Sequence, residues 1–398
     1  MDITITPGRL SGTVTAIPSK SQAHRLLICA AFADKPTLLD CPSTNEDIEA
    51  TADCLRSLGA KITYDSGSYQ VFPISQIPDC ATLNCRESGS TLRFMLPIVG
   101  ALGVESTFVM AGRLPKRPLS PLWEEMERNG CNLSRPTENT ILCKGKLVSG
   151  EYSIGGSVSS QFITGLLFAM ALMPGKCQLT VTGKTESRPY IEMTQQALKI
   201  FGVKTDDYSV SNCFPFDSPG ELSVEGDWSN GAFFLAAKTL GNDINVLGLS
   251  AASPQGDKAV ATILQSLDAH ITVDAADIPD LVPILAVAGG AKHGITFTNI
   301  ARLRLKESDR VASVATMLQQ LGAQVQVTQD AMTVFPAQFH SCTIDAVSDH
   351  RIAMAAAIAA TVCDGPVTIL GAHCVSKSYP TFWEEYRKLG GNYEQYIR

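Results

Sequence analysis

The chain has 398 residues, 45% apolar and 18% charged, with 32 basic against 39 acidic side chains and a net charge of −7. That is enough apolar material for two or three domain cores, and it excludes global disorder. The acidic balance argues against a general nucleic-acid binder or an anionic-membrane binder, while leaving room for a local basic cleft that takes small anions.

The N-terminal MDITITPGRLSG has an acid at Asp2 and no basic segment leading into an apolar run, so no signal peptide is expected. No apolar stretch approaches the ~20 residues of a membrane span. Pro18-Ser19-Lys20-Ser21-Gln22-Ala23-His24-Arg25 then opens the apolar LLICAAFA, and DIEATADCLRSLG follows as an amphipathic helix. Ser88-Gly89-Ser90-Thr91 leads into LRFMLP, and STFVMAG reads as a strand. Lys116-Arg117-Pro118 precedes Ser120-Pro121, which predicts Ser120 as a helix N-cap with Pro121 at the first helical position. Ser159-Ser160-Gln161 opens FITGLLFAMAL, with Ile163, Leu166, Leu167 and Met170 as a buried stripe. CQLTVTG is a strand and PYIEMTQQALKIFG a helix; Glu225-Gly226-Asp227 marks the best mid-chain crossing. Beyond it come the strands GITFTNI, MTVFPA and PVTILGA and the helices DRVASVATMLQQLG and HRIAMAAAIAATV. Lys306 and Arg310, four apart, are expected on one helical face. Asp349-His350-Arg351 opens a helix, and Ser376-Lys377-Ser378 precedes Tyr379-Pro380 and the last one.

A repeat runs through the helix exits. LRSLGAKI, MERNGCNL, LKIFGVKT, LQSLDAHI, LQQLGAQV and YRKLGGNY place Gly59, Gly130, Gly202, Asp268, Gly322 and Gly390 at intervals of 71, 72, 66, 54 and 68 residues. A glycine after a helix supplies the left-handed C′ residue, and Asp268 is expected to do so at some cost. The spacing predicts an α/β chain of six similar units, three per domain. Seven helix mouths carry a Lys, Arg or hydroxyl pair. A helix N-terminus beside a cation attracts anions, so repeats whose helix starts converge would build a cleft for several negative charges.

Other chemistries lack their signatures. There is no H-E-x-x-H and no clustered Cys/His spacing for zinc. Gly183-Lys184-Thr185 has Gln178 where a P-loop needs its first glycine. Neither G-x-G-x-x-G after a strand nor G-x-S-x-G is found. The twelve cysteines are scattered, without C-x-x-C, and Cys29, Cys177 and Cys363 lie in apolar settings; reduced thiols in a cytoplasmic protein are expected.

PSKSQAHR (18–25), ESGSTLR (87–93), RPLSPL (117–122), SSQF (159–162), SRPY (187–190), IPDLVP (278–283), LKESDR (305–310), DHRIAM (349–354) and VSKSYP (375–380) resemble, in number and order, the 5-enolpyruvylshikimate-3-phosphate synthase (3-phosphoshikimate 1-carboxyvinyltransferase) family of enolpyruvyl transferases. The resemblance runs almost end to end. It implies an α/β fold of two similar domains, each of three βαβαββ-type repeats, with the active cleft between them. One domain would comprise residues 1–17 and 227–398, the other residues 18–226.

The resemblance also implies transfer of the enolpyruvyl group of phosphoenolpyruvate to the 5-hydroxyl of shikimate 3-phosphate with release of phosphate. No metal or other cofactor, nucleic acid or membrane would be involved, and the protein would be a cytoplasmic monomer of aromatic amino-acid biosynthesis. Carried over by position, Lys20, Ser21, Arg25, Ser159, Ser160, Gln161, Ser187, Tyr190, Asp280 and Lys306 would bind shikimate 3-phosphate. Lys20, Gly89, Arg117, Gln161, Arg310, Arg351 and Lys377 would bind phosphoenolpyruvate. Asp280 would accept the 5-hydroxyl proton and Glu307 would donate one. Read as residues alone, Asp280 could instead cap the following helix, and Glu307 could pair with Arg310.

Two positions depart from the family pattern. Glu87 replaces a frequent Asn, and an acid beside an anion pocket needs a partner such as Arg86 or Arg93. Arg302 replaces another Asn. The alternatives are UDP-N-acetylglucosamine 1-carboxyvinyltransferase, whose loop cysteine has no counterpart in RLPKRPLS (113–120), and a non-catalytic anion-binding protein of the same fold, which would be expected to lose Asp280, Glu307 or the arginines.

Overall fold

The computed structural model describes residues 1–211 and 213–396. The chain divides into two compact units, Pro18–Val224 and Met1–Ile17 with Glu225–Arg398.

The unit Pro18–Val224 contains helices α1 (Lys20–Ala31), α2 (Glu46–Ser57), α3 (Gly89–Leu102), α4 (Leu122–Arg128), α5 (Ser160–Leu172) and α6 (Arg188–Ile200), with three four-stranded sheets. All three sheets follow one scheme, a parallel pair extended by two antiparallel strands. Cys80–Arg86 runs parallel to Glu105–Met110, which then takes Thr140–Gly145 and Cys131–Thr137 antiparallel. Glu151–Gly155, Lys176–Thr182, Ser209–Ser211 and Thr205–Asp206 repeat it. So do Glu221–Ser223, Thr37–Asp40, Ser68–Phe72 and Lys61–Asp65. The parallel step needs a long crossover whereas the antiparallel step needs only a turn, which is why helices and hairpins alternate along the chain.

The other unit holds α7 (Trp228–Thr239), α8 (Val260–Gln265), α9 (Val282–Gly290), α10 (Arg310–Gln320), α11 (His350–Ala360) and α12 (Phe382–Lys388). Two of its sheets obey the same scheme: Ile271–Asp274, Ile295–Thr298, Ala331–Val334 and Val325–Val327, then Cys342–Asp345, Val367–Leu370, Asp2–Thr6 and Asn392–Tyr396. Its third sheet is a lone parallel pair, Ser11–Thr15 with Asp243–Leu247.

Five of the six helix exits behave as glycine allows. Gly59, Gly130, Gly202, Gly322 and Gly390 take φ between 80° and 109°. Asp268 does not adopt this conformation. α8 ends at Gln265 with Ser266 as its C-cap, so Asp268 lies past the C′ position and has no left-handed role to fill. This exit belongs to the repeat whose sheet has only two strands. Ser120 is not the N-cap of α4 either: the helix starts at Leu122 with Pro121 in the cap position and no capping side chain.

Each unit has its own core. α5 is buried all round except at Gln161, so its apolar stripe is the whole helix rather than one face. At Gly165 a Cβ would strike the backbone of Arg93 and the ring of Pro97, so only glycine lets α5 lie this close to α3. In the unit of α7–α12, α9 and α11 are buried over their full lengths. Polar groups at the mouths of such helices cannot retreat to water along the helix, and they are held by caps or by one another. All twelve cysteines are free. Among the described residues no helix is long and apolar enough to cross a membrane.

Candidate active site

In the unit Pro18–Val224 the expected residues gather at the starts of α1, α3, α5 and α6. Ser19, Ser88 and Ser159 cap α1, α3 and α5 through their hydroxyls. Neutral caps leave the positive helix ends available to an anion. Lys20, the first residue of α1, places its ammonium 2.8 Å from Asp47 Oδ2 on α2. Ser21 follows it, and its carbonyl accepts from Arg25 Nη1 at 2.5 Å. Arg25 is only 2% exposed. Its Nε donates to Thr194 Oγ1 (2.9 Å) and its Nη2 to the Tyr190 carbonyl (2.8 Å), while the guanidinium lies over the Phe94 ring. Arg25 therefore ties α1 to α6 and holds the backbone at Tyr190.

Gly89 begins α3. A Cβ there would lie 2.6 Å from Arg117 Nη1 and 3.1 Å from Arg93 Nη1, so the glycine lets two guanidinium groups stand against the helix start. Arg93 donates to Gln161 Oε1 (2.7 Å) and to the Pro118 carbonyl (3.1 Å), and Gln161 Nε2 donates to Ser90 Oγ (2.9 Å). Ser160 is buried beside its cap Ser159. Ser187 is buried and left-handed (φ 55°), in the cap position of α6 without a capping bond from its hydroxyl. Arg86 pairs with Asp53 at 2.7 Å, and the Glu87 carboxylate lies over Gly112.

His24 lies between these groups on α1, 1% exposed, with Nδ1 2.7 Å from Thr51 Oγ1. Burial, with lesser help from Lys20 and Arg25, brings its pKa from 6.5 down to about 3. The unfolded chain protonates near pH 6.5 and the folded chain only near pH 3. The stability contributed by neutral His24 is therefore complete above pH 6.5 and declines as the pH falls toward 3. Urea unfolding between pH 6 and 4 should show a slope steeper in the native sequence than in His24→Gln by about 1.4 kcal/mol per pH unit. Equal slopes would place the acid sensitivity elsewhere.

In the other unit the expected residues form one charged cluster. Asp280, just before α9, does not cap that helix, which begins after Leu281 without a capping side chain. Its carboxylate instead accepts from Arg310 Nη1 (2.7 Å) and Arg351 Nη2 (3.1 Å), with Lys306 Nζ 3.7 Å away. Arg310 Nη2 donates to Glu307 Oε2 at 2.8 Å. Lys306 is not on a helical face with Arg310: Asp309 caps α10, which leaves Lys306 in extended backbone before it, and the two cations meet at Asp280. Burial alone would raise the Asp280 carboxyl, but Arg351, Lys306 and Arg310 outweigh it and hold the group well below the usual carboxylate range. Burial, reinforced by Arg310, brings Lys306 down to about 8. Lys377 is buried at the end of the turn Ala372–Lys377. Arg302, in the turn Ala301–Leu305, adds to the charge that lowers Lys306.

Three contributors carried no site role in the sequence, Arg93 having been considered only as a partner for Glu87. Asp47 holds Lys20, Arg93 holds Gln161, and Asp349 holds Arg310, the last through Nε at 3.1 Å. Asp257, in the turn Gly256–Ala259, is pushed up to about 7 by burial and by the charge of Asp280.

The architecture is that of the EPSP synthases: the chain superposes on EPSP synthase from Acinetobacter baumannii with a TM-score of 0.82 over 99% of each chain, at 23% identity. In sequence it is 36% identical to the 3-phosphoshikimate 1-carboxyvinyltransferase of Clostridium kluyveri over 99% of this chain and 98% of that one, and 36% identical to that of Clostridium novyi over 98% of each. The family model for EPSP synthase (3-phosphoshikimate 1-carboxyvinyltransferase) matches residues 5–386, and the chain belongs to that family.

Proposed function

We propose that the chain is the 3-phosphoshikimate 1-carboxyvinyltransferase of its source, transferring the enolpyruvyl group of phosphoenolpyruvate to the 5-hydroxyl of shikimate 3-phosphate. The observation that carries the reading is the cluster in which Asp280 and Glu307 share Arg310, with Arg351 on the same Asp280 carboxylate. It supplies proton-transfer groups and cations together, as the addition of an alcohol to an anionic enol phosphate demands.

Asp280 takes the proton of the 5-hydroxyl as its oxygen adds to C2 of phosphoenolpyruvate, and Glu307 delivers a proton to C3. The resulting tetrahedral ketal loses phosphate, and Glu307, left as a carboxylate, takes a proton back from C3 as the double bond is restored. Asp280 is held ionised by its cations, which is the form a proton acceptor needs. Anionic substrate charge beside Arg310 and Arg351 weakens that hold and makes the carboxylate more basic when it is required.

For shikimate 3-phosphate the reading assigns Lys20, Ser21, Arg25, Ser159, Ser160, Gln161, Ser187, Tyr190, Asp280 and Lys306, supported in part by the serine-capped starts of α1 and α5, with no acid in the cap. Arg25 acts there through the backbone it fixes at Ser21 and Tyr190. Phosphoenolpyruvate is assigned Lys20, Gly89, Arg117, Gln161, Arg310, Arg351 and Lys377. The reading takes the protein to act as a monomer, and twelve free thiols support a cytoplasmic setting.

Purified protein should release phosphate only when both substrates are present, and EDTA should not change the rate. Release with UDP-N-acetylglucosamine in place of shikimate 3-phosphate would overturn the assignment.

A further inference from the structure

We propose that Asp349 is a positioning residue, which fixes the Arg310 guanidinium in the orientation that holds Asp280 and Glu307. The proposal rests on the reading of this cluster as the proton-transfer and phosphoenolpyruvate site.

Asp349 and Arg310 both have fully buried side chains. A buried carboxylate is tolerated only where its oxygens are fully engaged. Asp349 meets that condition with both. Oδ2 accepts from Arg310 Nε (3.1 Å) and Ser308 Oγ (3.0 Å); Oδ1 accepts from the Arg351 N–H (3.0 Å) and from Arg310 Nη2 (3.4 Å). Capping α11 uses one oxygen and would be served by serine or asparagine, as Ser19, Ser88 and Ser159 serve theirs. The second oxygen grips the Nε edge of Arg310. That leaves Nη1 for Asp280 and Nη2 for Glu307, so the guanidinium has no free rotation about its stem. The same carboxylate joins the Lys306–Arg310 segment to the helix start that bears Arg351.

Around Asp349 stand Arg310 and Ser308 at the start of α10 and the Arg351 N–H on α11. From the turn Ala372–Lys377, Cys374 is near enough for Asp349 to add to the burial that pushes its thiol up to about 12, an effect that Lys377 opposes. Beyond Arg310 lie Asp280, Glu307, Lys306 and Arg351. Removing the negative charge of Asp349 leaves more of the Arg310 charge to Asp280 and Glu307, which lowers the pH at which they take up protons.

Asp349→Asn keeps a capping oxygen and the side-chain volume but turns a donor toward Arg310. It should lower kcat/KM for phosphoenolpyruvate roughly 10- to 100-fold, the range for losing a charged hydrogen bond, and shift the acidic limb of the pH–rate profile downward. Arg310→Lys removes the fork that Asp349 grips. In that background Asp349→Asn should cost less than about threefold, because partners in one network are not additive. Asp349→Glu, restoring the charge, should recover part of the pH profile.

Three results would overturn the proposal: an unshifted profile in a folded Asp349→Asn protein, full additivity with Arg310→Lys, or loss of fold in Asp349→Asn and Asp349→Ser alike, which would make the buried charge a requirement of the fold rather than a positioning device. A native protein without phosphate release from the two substrates would instead remove the functional reading beneath it.

Discussion

Asp280→Asn and Glu307→Gln should each lower turnover roughly 10²- to 10⁴-fold, the span that general acid–base catalysis supplies, while affinity for shikimate 3-phosphate changes less than about tenfold. The amides keep the size and most of the hydrogen bonding but exchange no proton at neutral pH. At Asp280 the geometry sharpens the expectation. Its carboxylate is the common partner of Arg310, Arg351 and Lys306. The amide removes one negative charge from that group, so substrate anions meet a more positive cluster and are not repelled. A fall in turnover without a fall in binding separates proton transfer from electrostatic loss. Steady-state turnover together with calorimetric binding of shikimate 3-phosphate reads both. Near-native turnover in either variant would exclude that residue as the proton-transfer group and make Lys20 or Lys377 the next candidate.

The repeated frame was legible where local chemistry dictates it. Glycines past helix ends adopt positive φ because that conformation is cheap only for glycine, and five of the six exits follow. Asp268 fails because α8 stops early, and sequence spacing cannot measure where a short helix ends. Ser120 fails for a related reason, since a good capping residue beside a proline does not fix which residue enters the helix. In the charged cluster, Lys306, Glu307 and Arg310 were legible as neighbours in one motif. Asp349 was quoted within its motif but given no role, Asp47 was silent, and Arg93 was considered only as a partner for Glu87. Asp349 lies 39 residues from Arg310, Asp47 lies 27 from Lys20, and Gln161 lies 68 from Arg93. A side chain that works by orienting another leaves no periodicity and no spacing, because its partner is chosen by the fold.

Arg351→Ala should raise the Michaelis constant for phosphoenolpyruvate roughly 30- to 1000-fold, the cost of about 2–4 kcal/mol for a lost charge-assisted pair, and that for shikimate 3-phosphate far less. Arg351 opens α11, 4% exposed, with its backbone N–H fixed by Asp349 and its guanidinium reaching both the carboxylate and the carbonyl of Asp280. A planar fork so anchored can present a carboxylate or phosphate with two parallel donors, which an ammonium cannot, so Arg351→Lys should recover only part of the loss. The truncation leaves Asp280 paired with Arg310 and Lys306, so the variant keeps a compensated carboxylate and should remain folded. Ser160→Ala is the opposite case. It removes a neutral hydroxyl at the start of α5, and a neutral donor is worth about 0.5–1.5 kcal/mol. It should therefore raise the constant for shikimate 3-phosphate only about 2- to 10-fold and leave phosphoenolpyruvate nearly unaffected. Initial rates with each substrate varied at saturation of the other decide the matter. Equal effects of the two substitutions on both substrates would mean that the cations at α11 and the hydroxyls at α5 do not divide the substrates in this way.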